Sequence, residues 1–348
     1  MPLALDSQGI WDVAAGLPEQ VAEAASSCDI QNAAALPDHD GIENVVILGM
    51  GGSGIAGDIL LASAAPFMAV PAVVVKSYTL PAFVTENSLV IAVSYSGDTE
   101  ETIEAASEAQ MAGANVCVVS GPGQLRTLAD EWDAPSVDVL ECSPQPRGGI
   151  GAVSIPPLLI LESVGLFPGA RQWIDAAVAQ LRRRRDQLIV DNGPAEQLAK
   201  RIGGTFPLIH SSASLGSAAV TRWKGQVNEN AKAPALGAVN PELCHNEIVG
   251  WGQHGDITRQ LITLIQLRHD HEHPQVARRF ELVTEIVREV MAGIEVVEAE
   301  GEGELAQLFD LIIYGDFVSL HMAGLQGIDP GPVPILEELK QQLAVATP

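Results

Sequence analysis

Positive charge is scarce in this chain: 19 Lys and Arg stand against 44 Asp and Glu, a formal net charge of -25. A surface of that sign repels polyanions, which argues against DNA or RNA as partners. Cysteine is equally thin. Cys28, Cys117, Cys142 and Cys244 are scattered with no CxxC pair, which removes a disulfide framework and a thiolate metal site. The N-terminal MPLALDSQGIWDVAAG has no basic stretch ahead of an apolar run, so no export signal is expected. Long apolar runs are missing too. The longest uncharged one, between Asp58 and Lys76, is broken by Pro66 and Pro71 and suits a helix end, turn and strand better than a membrane span. The expectation is a cytoplasmic protein with no membrane contact.

What is present is apolar and periodic. At 47% hydrophobic residues over 348 positions, with mean hydropathy +0.19, the chain can fill two cores. VVILG (Val45–Gly49) is a short buried strand that runs into the Gly-rich MGGSGIAGDILLA. AVVVKSY, SLVIAVSYSGDTEETIEAASEAQMAG and NVCVVSGPG continue the alternation of strand, small-residue turn and helix. The pattern restarts in TFPLIHSSASLGSAAV, ITLIQL and IEVVEAEG, with PQVARRFELVTEIVREVMAG as a helix between the last two. Such alternation predicts an α/β fold of two doubly wound domains, with mainly parallel sheets flanked by helices. The expected boundaries are 1–152 for the first domain with its N-terminal helices, 153–194 for linking helices, and 195–348 for the second domain.

Two loops carry the chemistry. Gly49-x-Gly51-x-x-Gly54 follows a strand and opens a helix, formally matching a dinucleotide fingerprint. The next strand ends in Lys76 instead of the acid that would hold a ribose, which weakens that match. The backbone N–H groups and positive dipole of a helix start can bind an anion without a lysine. Ser94-Tyr95-Ser96-Gly97-Asp98-Thr99 adds three hydroxyls at a second strand-to-helix junction. Ordinary N-capping ahead of Glu100 and Glu101 explains one hydroxyl but not three beside a second Gly-rich loop. Because Lys76 and Arg126 are the only Lys or Arg before Arg147, an anion site here relies on neutral donors, with full positive charge brought from later in the chain.

GMGGSG, SYSGDTEET, PRGG, RWKGQVNENAK, HNEIVGW and the terminal LK together resemble the bifunctional phosphoglucose/phosphomannose isomerases, a two-domain branch of the SIS (sugar isomerase) fold. The resemblance implies aldose–ketose exchange between mannose or glucose 6-phosphate and fructose 6-phosphate, without metal or organic cofactor. By the same resemblance Gly52, Ser53, Ser94, Ser96 and Thr99 would hold the sugar phosphate. Glu229 would be the base moving a proton between the first two sugar carbons, and Arg147 would stabilise the enediolate. His245 would open the sugar ring from the neighbouring subunit of a homodimer, assisted by Lys340. The match departs at Asp329-Pro330-Gly331-Pro332, where the family often carries a hydroxyl residue.

Such exchange needs a carboxylate beside a weakly acidic C–H, a cation for the developing oxyanion, and acid–base groups for ring opening. Two other functions use the same loops: a sugar-phosphate sensor without turnover, which would not need Glu229 and Arg147, and a nicotinamide oxidoreductase built on the GxGxxG match. His269-Asp270-His271-Glu272-His273 invites a metal but suits a polar loop before Pro274. Arg182–Arg185 is expected on a solvated helix face or against an acidic surface. Ser211, Ser212 and Ser214 mark the second domain's counterpart of the phosphate loop, where capping or a subunit contact is favoured over a second anion.

Overall fold

The computed structural model describes residues 4–346. In chain order the first half runs α1 (Ile10–Ala15), α2 (Leu17–Ser26), β1 (Asn44–Leu48), α3 (Gly51–Ser63), β2 (Ala72–Val75), β3 (Ser88–Ser94), α4 (Glu100–Met111), β4 (Asn115–Ser120), α5 (Gln124–Glu131) and β5 (Ser136–Asp138). Two helices follow, α6 (Ile150–Ser163) and α7 (Ala170–Leu188). The second half runs α8 (Pro194–Ile202), β6 (Phe206–Ser212), α9 (Leu215–Asn230), β7 (Leu236–Asn240), α10 (Gly255–Leu261), β8 (Ile262–Arg268), α11 (Pro274–Val287), β9 (Gly293–Glu298), α12 (Glu304–Leu325) and α13 (Pro334–Ala346).

Both sheets are parallel, in the orders β2-β1-β3-β4-β5 and β7-β6-β8-β9. Strands covered by helices on both faces read as continuous apolar runs, as VVIL and LVIAV do here. Two strands escaped the sequence pattern. β5 has three residues, and β7 (LGAVN) is an edge strand whose first two residues are exposed, so neither carries a long apolar run.

The expected linking helices are part of the core. One continuous apolar cluster takes in β1, β3, α3, α6, α7, α9 and α12, so the two sheets share an interior. α12 is long and apolar enough to cross a membrane by length and composition, yet 89% of its most apolar window is buried inside this fold. Its two acids in that window's surroundings are held by arginines from outside the helix. Asp310 accepts from Arg184 Nε and Nη2 at 2.7 and 2.6 Å, and Asp316 accepts from Arg222 Nε and Nη2 at 2.9 and 2.7 Å. The arginine run is therefore not uniformly solvated: Arg184 is buried on Asp310 while Arg185 pairs with Glu19 at the surface.

The histidine-rich segment is a turn after β8 whose side chains close the turn and tie it to α12 and the end of β6. Glu272 clasps Arg268, His273 Nδ1 accepts from Gln275 N–H, and His269 bonds Ser212. Serines of the second small-residue loop are likewise spent internally, with Ser211 donating to the Leu267 carbonyl at 2.7 Å.

Candidate active site

β1 is flanked by β2 on one side and β3 on the other, so the order in which the chain adds strands reverses between β1 and β3. In open parallel sheets the crevice beyond the strand ends at such a point is where ligands sit. Both loops singled out in the sequence meet there. The Tyr95 N–H donates to Ser53 Oγ at 3.1 Å, tying the Gly-rich turn to the serine loop. Ser94 Oγ lies 3.0 Å from Thr99 Oγ1 and accepts from Gly97 N–H at 3.0 Å. Ser96 Oγ accepts from Asp98 N–H at 3.3 Å and is exposed. The capping expectation fails in an informative way: neither Met50 before α3 nor Thr99 before α4 caps its helix with a side chain. Two helix starts therefore point uncapped N–H groups toward one crevice, a neutral cradle suited to a dianion.

Gly97 makes the turn possible. Its φ is +79°, and a Cβ there would lie 2.8 Å from the Gly121 and Pro122 carbonyl oxygens. Gly52 serves differently. A Cβ on it would lie 3.3 Å from the Pro146 carbonyl, so its bare backbone lets the Pro146-Arg147 turn close against the phosphate loop.

Beside this cradle opens a cleft of about 420 Å³ lined by Gly51, Gly52, Lys76, Arg147, Lys224 and Glu229, among others. Glu229 is in the last turn of α9 with its side chain 36% exposed, facing Arg147 Nη1 across 3.5 Å. Arg147 is 4% exposed and every one of its five N–H donors has a partner. Nε donates to Asn230 Oδ1 at 2.9 Å, and Nη2 to the Pro330 and Gly331 carbonyls at 2.6 and 2.9 Å. Nη1 reaches Gln145 Oε1 at 3.2 Å and, at the long 3.5 Å, Glu229.

The contrast with the other buried arginines is decisive electrostatically. Arg184 and Arg222 each fork onto a buried carboxylate, whereas the close acceptors of Arg147 are amides and carbonyls and its carboxylate partner, Glu229, stands off at 3.5 Å. Burial pushes the Arg147 pKa down, with Glu229 opposing. It remains a cation at neutral pH, because an arginine starts above 12. Lys232, in the left-handed region at φ +53°, donates to the Glu229 and Pro330 carbonyls; burial first, and Arg147 second, lower its pKa. A carboxylate and a concentrated positive potential thus face one cleft, next to a phosphate-type cradle.

The structure does not bring every expected residue to this cleft. Gly52, Arg147 and Glu229 line it, while Ser53, Ser94, Ser96 and Thr99 belong to the adjoining loops; His245, exposed on the short turn after β7, and Lys340, exposed on α13, do not line it. Gln145, Asn230, Lys232 and the Arg222–Asp316 pair support the site without having been singled out for it. An acid inside an apolar helix such as α12 was the available signal for the last of these, since a buried carboxylate requires a partner.

Comparison with known proteins identifies the family. A bifunctional phosphoglucose/phosphomannose isomerase of Caldicellulosiruptor bescii is 34% identical over 332 residues, covering 94% of this chain and 97% of that protein. This chain belongs to that family. A relative of the same description from Aquifex aeolicus is 31% identical over 86% of this chain and 90% of its own. Family models match in two places: a SIS domain at residues 42–130, and a bacterial phospho-glucose isomerase C-terminal SIS domain at 191–343. Among solved structures, the C-terminal domain of glucosamine-fructose-6-phosphate aminotransferase from Francisella tularensis superposes with TM-score 0.69. It covers 92% of this chain and 96% of its own at 14% identity, a likeness of fold.

Proposed function

We propose that this protein interconverts glucose 6-phosphate and mannose 6-phosphate with fructose 6-phosphate. The observation that carries the reading is Glu229 poised 3.5 Å from the buried Arg147, whose closer acceptors are all neutral, in a cleft that adjoins the neutral cradle. Family membership supports the same substrates. Gly52, Ser53, Ser94, Ser96 and Thr99 hold the phosphate. The Glu229 carboxylate removes the C2 proton of the open-chain aldose, giving a cis-enediolate, and returns it to C1 while the O2 hydroxyl proton passes to O1. No electrons leave the sugar, so the isomerisation balances without an external oxidant or reductant. Arg147 Nη1, whose contact to Glu229 is long, is the donor free to turn toward the developing oxyanion.

Ring opening is assigned to His245 of the neighbouring subunit of a homodimer, assisted by Lys340. The exposure of His245 away from the cleft in a single chain supports this, as do the exposed Ile335, Leu336 and Leu339 of α13, which leave an apolar face for a second copy to cover. The division into units at 1–152, 153–194 and 195–348 is retained, supported by the spans of the two family models. A cytoplasmic location is proposed; among the described residues the one span-length helix, α12, is consumed by the fold's own core.

The test is turnover of both aldoses with excess chelator present, alongside Glu229→Gln. Wild type should convert both, and the variant should lose at least about 1,000-fold in kcat while keeping its affinity for a phosphorylated sugar. Wild-type-like turnover in Glu229→Gln removes the base. A wild type that binds fructose 6-phosphate without turnover makes the protein a sensor.

A further inference from the structure

The Arg147 guanidinium is held from a direction that neither matched SIS segment covers. Gln145 Oε1 accepts from Arg147 Nη1 at 3.2 Å, and Gln145 Nε2 donates to Gln8 Oε1 at 2.9 Å. The order of this relay is chemically forced. Arginine has no acceptor, so the Gln145 amide must turn its oxygen to Arg147 and its nitrogen to Gln8. Gln8 belongs to the segment before α1, and this arm is anchored at several points. Asp6 accepts from the Ile10 and Trp11 N–H groups at 2.8 and 2.9 Å, and the Ser7 N–H reaches the Asp329 carboxylate at 3.3 Å. Trp11 is buried edge-on against Phe317 and His321 of α12. Gln8 also packs on Gly331, where a Cβ would come within 2.8 Å of it. The arm therefore touches the same turn whose carbonyls receive Arg147 Nη2.

We propose that Gln145, braced by Gln8 of the N-terminal arm, is the positioning residue that aims Arg147 Nη1 into the cleft. It does so as a neutral acceptor, adding no second carboxylate to the Glu229 that faces Nη1 at 3.5 Å, so that positive charge is left for the enediolate. An amide and a carboxylate have nearly the same shape, and either could accept this hydrogen bond. Only the amide does so without neutralising the cation. In a chain with 44 acids, amides and carbonyls in every close acceptor position around Arg147 are what electrostatic preorganisation requires. Nη1 carries two protons. Gln145 accepts from one of them, which fixes the plane of the guanidinium, while the other reaches Glu229 at the long 3.5 Å.

This inference rests on the isomerase reading, and the isosteric variant Gln145→Glu tests it. The measurement compares kcat, KM and the affinity for a five-carbon aldonohydroxamate 5-phosphate, a planar mimic of the enediolate. Gln145→Glu should fold with an unchanged melting temperature and keep KM within about twofold. Its kcat and hydroxamate affinity should both fall by about 100-fold, in the range seen when an oxyanion contact is lost. Gln145→Leu and Gln8→Leu, which loosen the guanidinium without neutralising it, should fall by about 10-fold and about 5-fold. Gln8→Glu, which keeps the acceptor for Gln145, should restore most of the loss seen in Gln8→Leu. If packing alone is the role, Gln145→Glu keeps kcat within twofold of wild type, and that result overturns the proposal. Gln8→Leu at full activity beside an impaired Gln145→Glu overturns the part assigned to the arm. A wild type that turns over neither aldose overturns the isomerase reading, and this inference with it.

Discussion

Replacing Asp316 by asparagine isolates the structural cost of holding the catalytic turn in place. Asp316 is 3% exposed and Arg222 1% exposed, and two hydrogen bonds of 2.9 and 2.7 Å join them. The remaining Arg222 group, Nη1, donates to the Arg147 carbonyl at 2.8 Å, so the pair carries the backbone of the turn that presents Arg147. Asparagine keeps the shape but strands a buried guanidinium, a change worth about 3–5 kcal/mol. At about 2.1 cal/mol/K per residue, the unfolding entropy of a chain this long is about 0.7 kcal/mol/K, so Tm should fall by about 4–7 °C. Circular dichroism melts and urea midpoints at pH 7 measure it. The double variant Arg222→Met with Asp316→Leu provides the complementary arm. Swapping a buried pair for packed apolar groups is often neutral, so stability should return to within about 1–2 kcal/mol of wild type. Activity should not return with it, because nothing then holds the Arg147 carbonyl. A single variant melting within about 1 °C of wild type refutes the reasoning. So does a double variant whose turnover recovers in step with its stability.

The cradle and the acid limb of the stability curve give two more tests. Gly97→Ala forces a Cβ into two carbonyl oxygens at positive φ, and should destabilise by about 2–4 kcal/mol and weaken phosphate binding measured calorimetrically. Unchanged affinity would mean that the turn tolerates the side chain. Burial pushes the His269 pKa down to about 4 from an ordinary 6.5, so the folded state keeps it neutral. Its stabilising contribution is complete above about pH 6.5 and is lost as pH falls toward 4, up to about 3 kcal/mol. Urea midpoints between pH 7 and 4.5 should therefore fall less steeply for His269→Gln than for wild type. Parallel curves would show that His269 titrates alike in both states.

Much of the site was legible because its chemistry is local. Gly49 to Gly54 and Ser94 to Thr99 are contiguous, and each sits between a strand and a helix that its own residues encode. RWKGQVNENAK lies on one helix, so Glu229 and Asn230 keep their relation to one another wherever that helix is placed. The acidic composition and the scarcity of lysine and arginine before Arg147 already implied a phosphate site built from neutral donors and helix ends.

Tertiary structure alone decided which groups surround Arg147. Its partners come from positions 145, 229–230 and 330–331, with Gln8 behind Gln145, brought together by α12 and the shared core, and no spacing along the chain encodes that convergence. Nor could sequence distinguish three arginines destined for burial. Arg184 and Arg222 acquired carboxylates from α12, whereas Arg147 acquired amides and carbonyls. Charge compensation depends on distances of a few ångström between remote segments, and that difference separates a structural ion pair from a cation left available to a reaction.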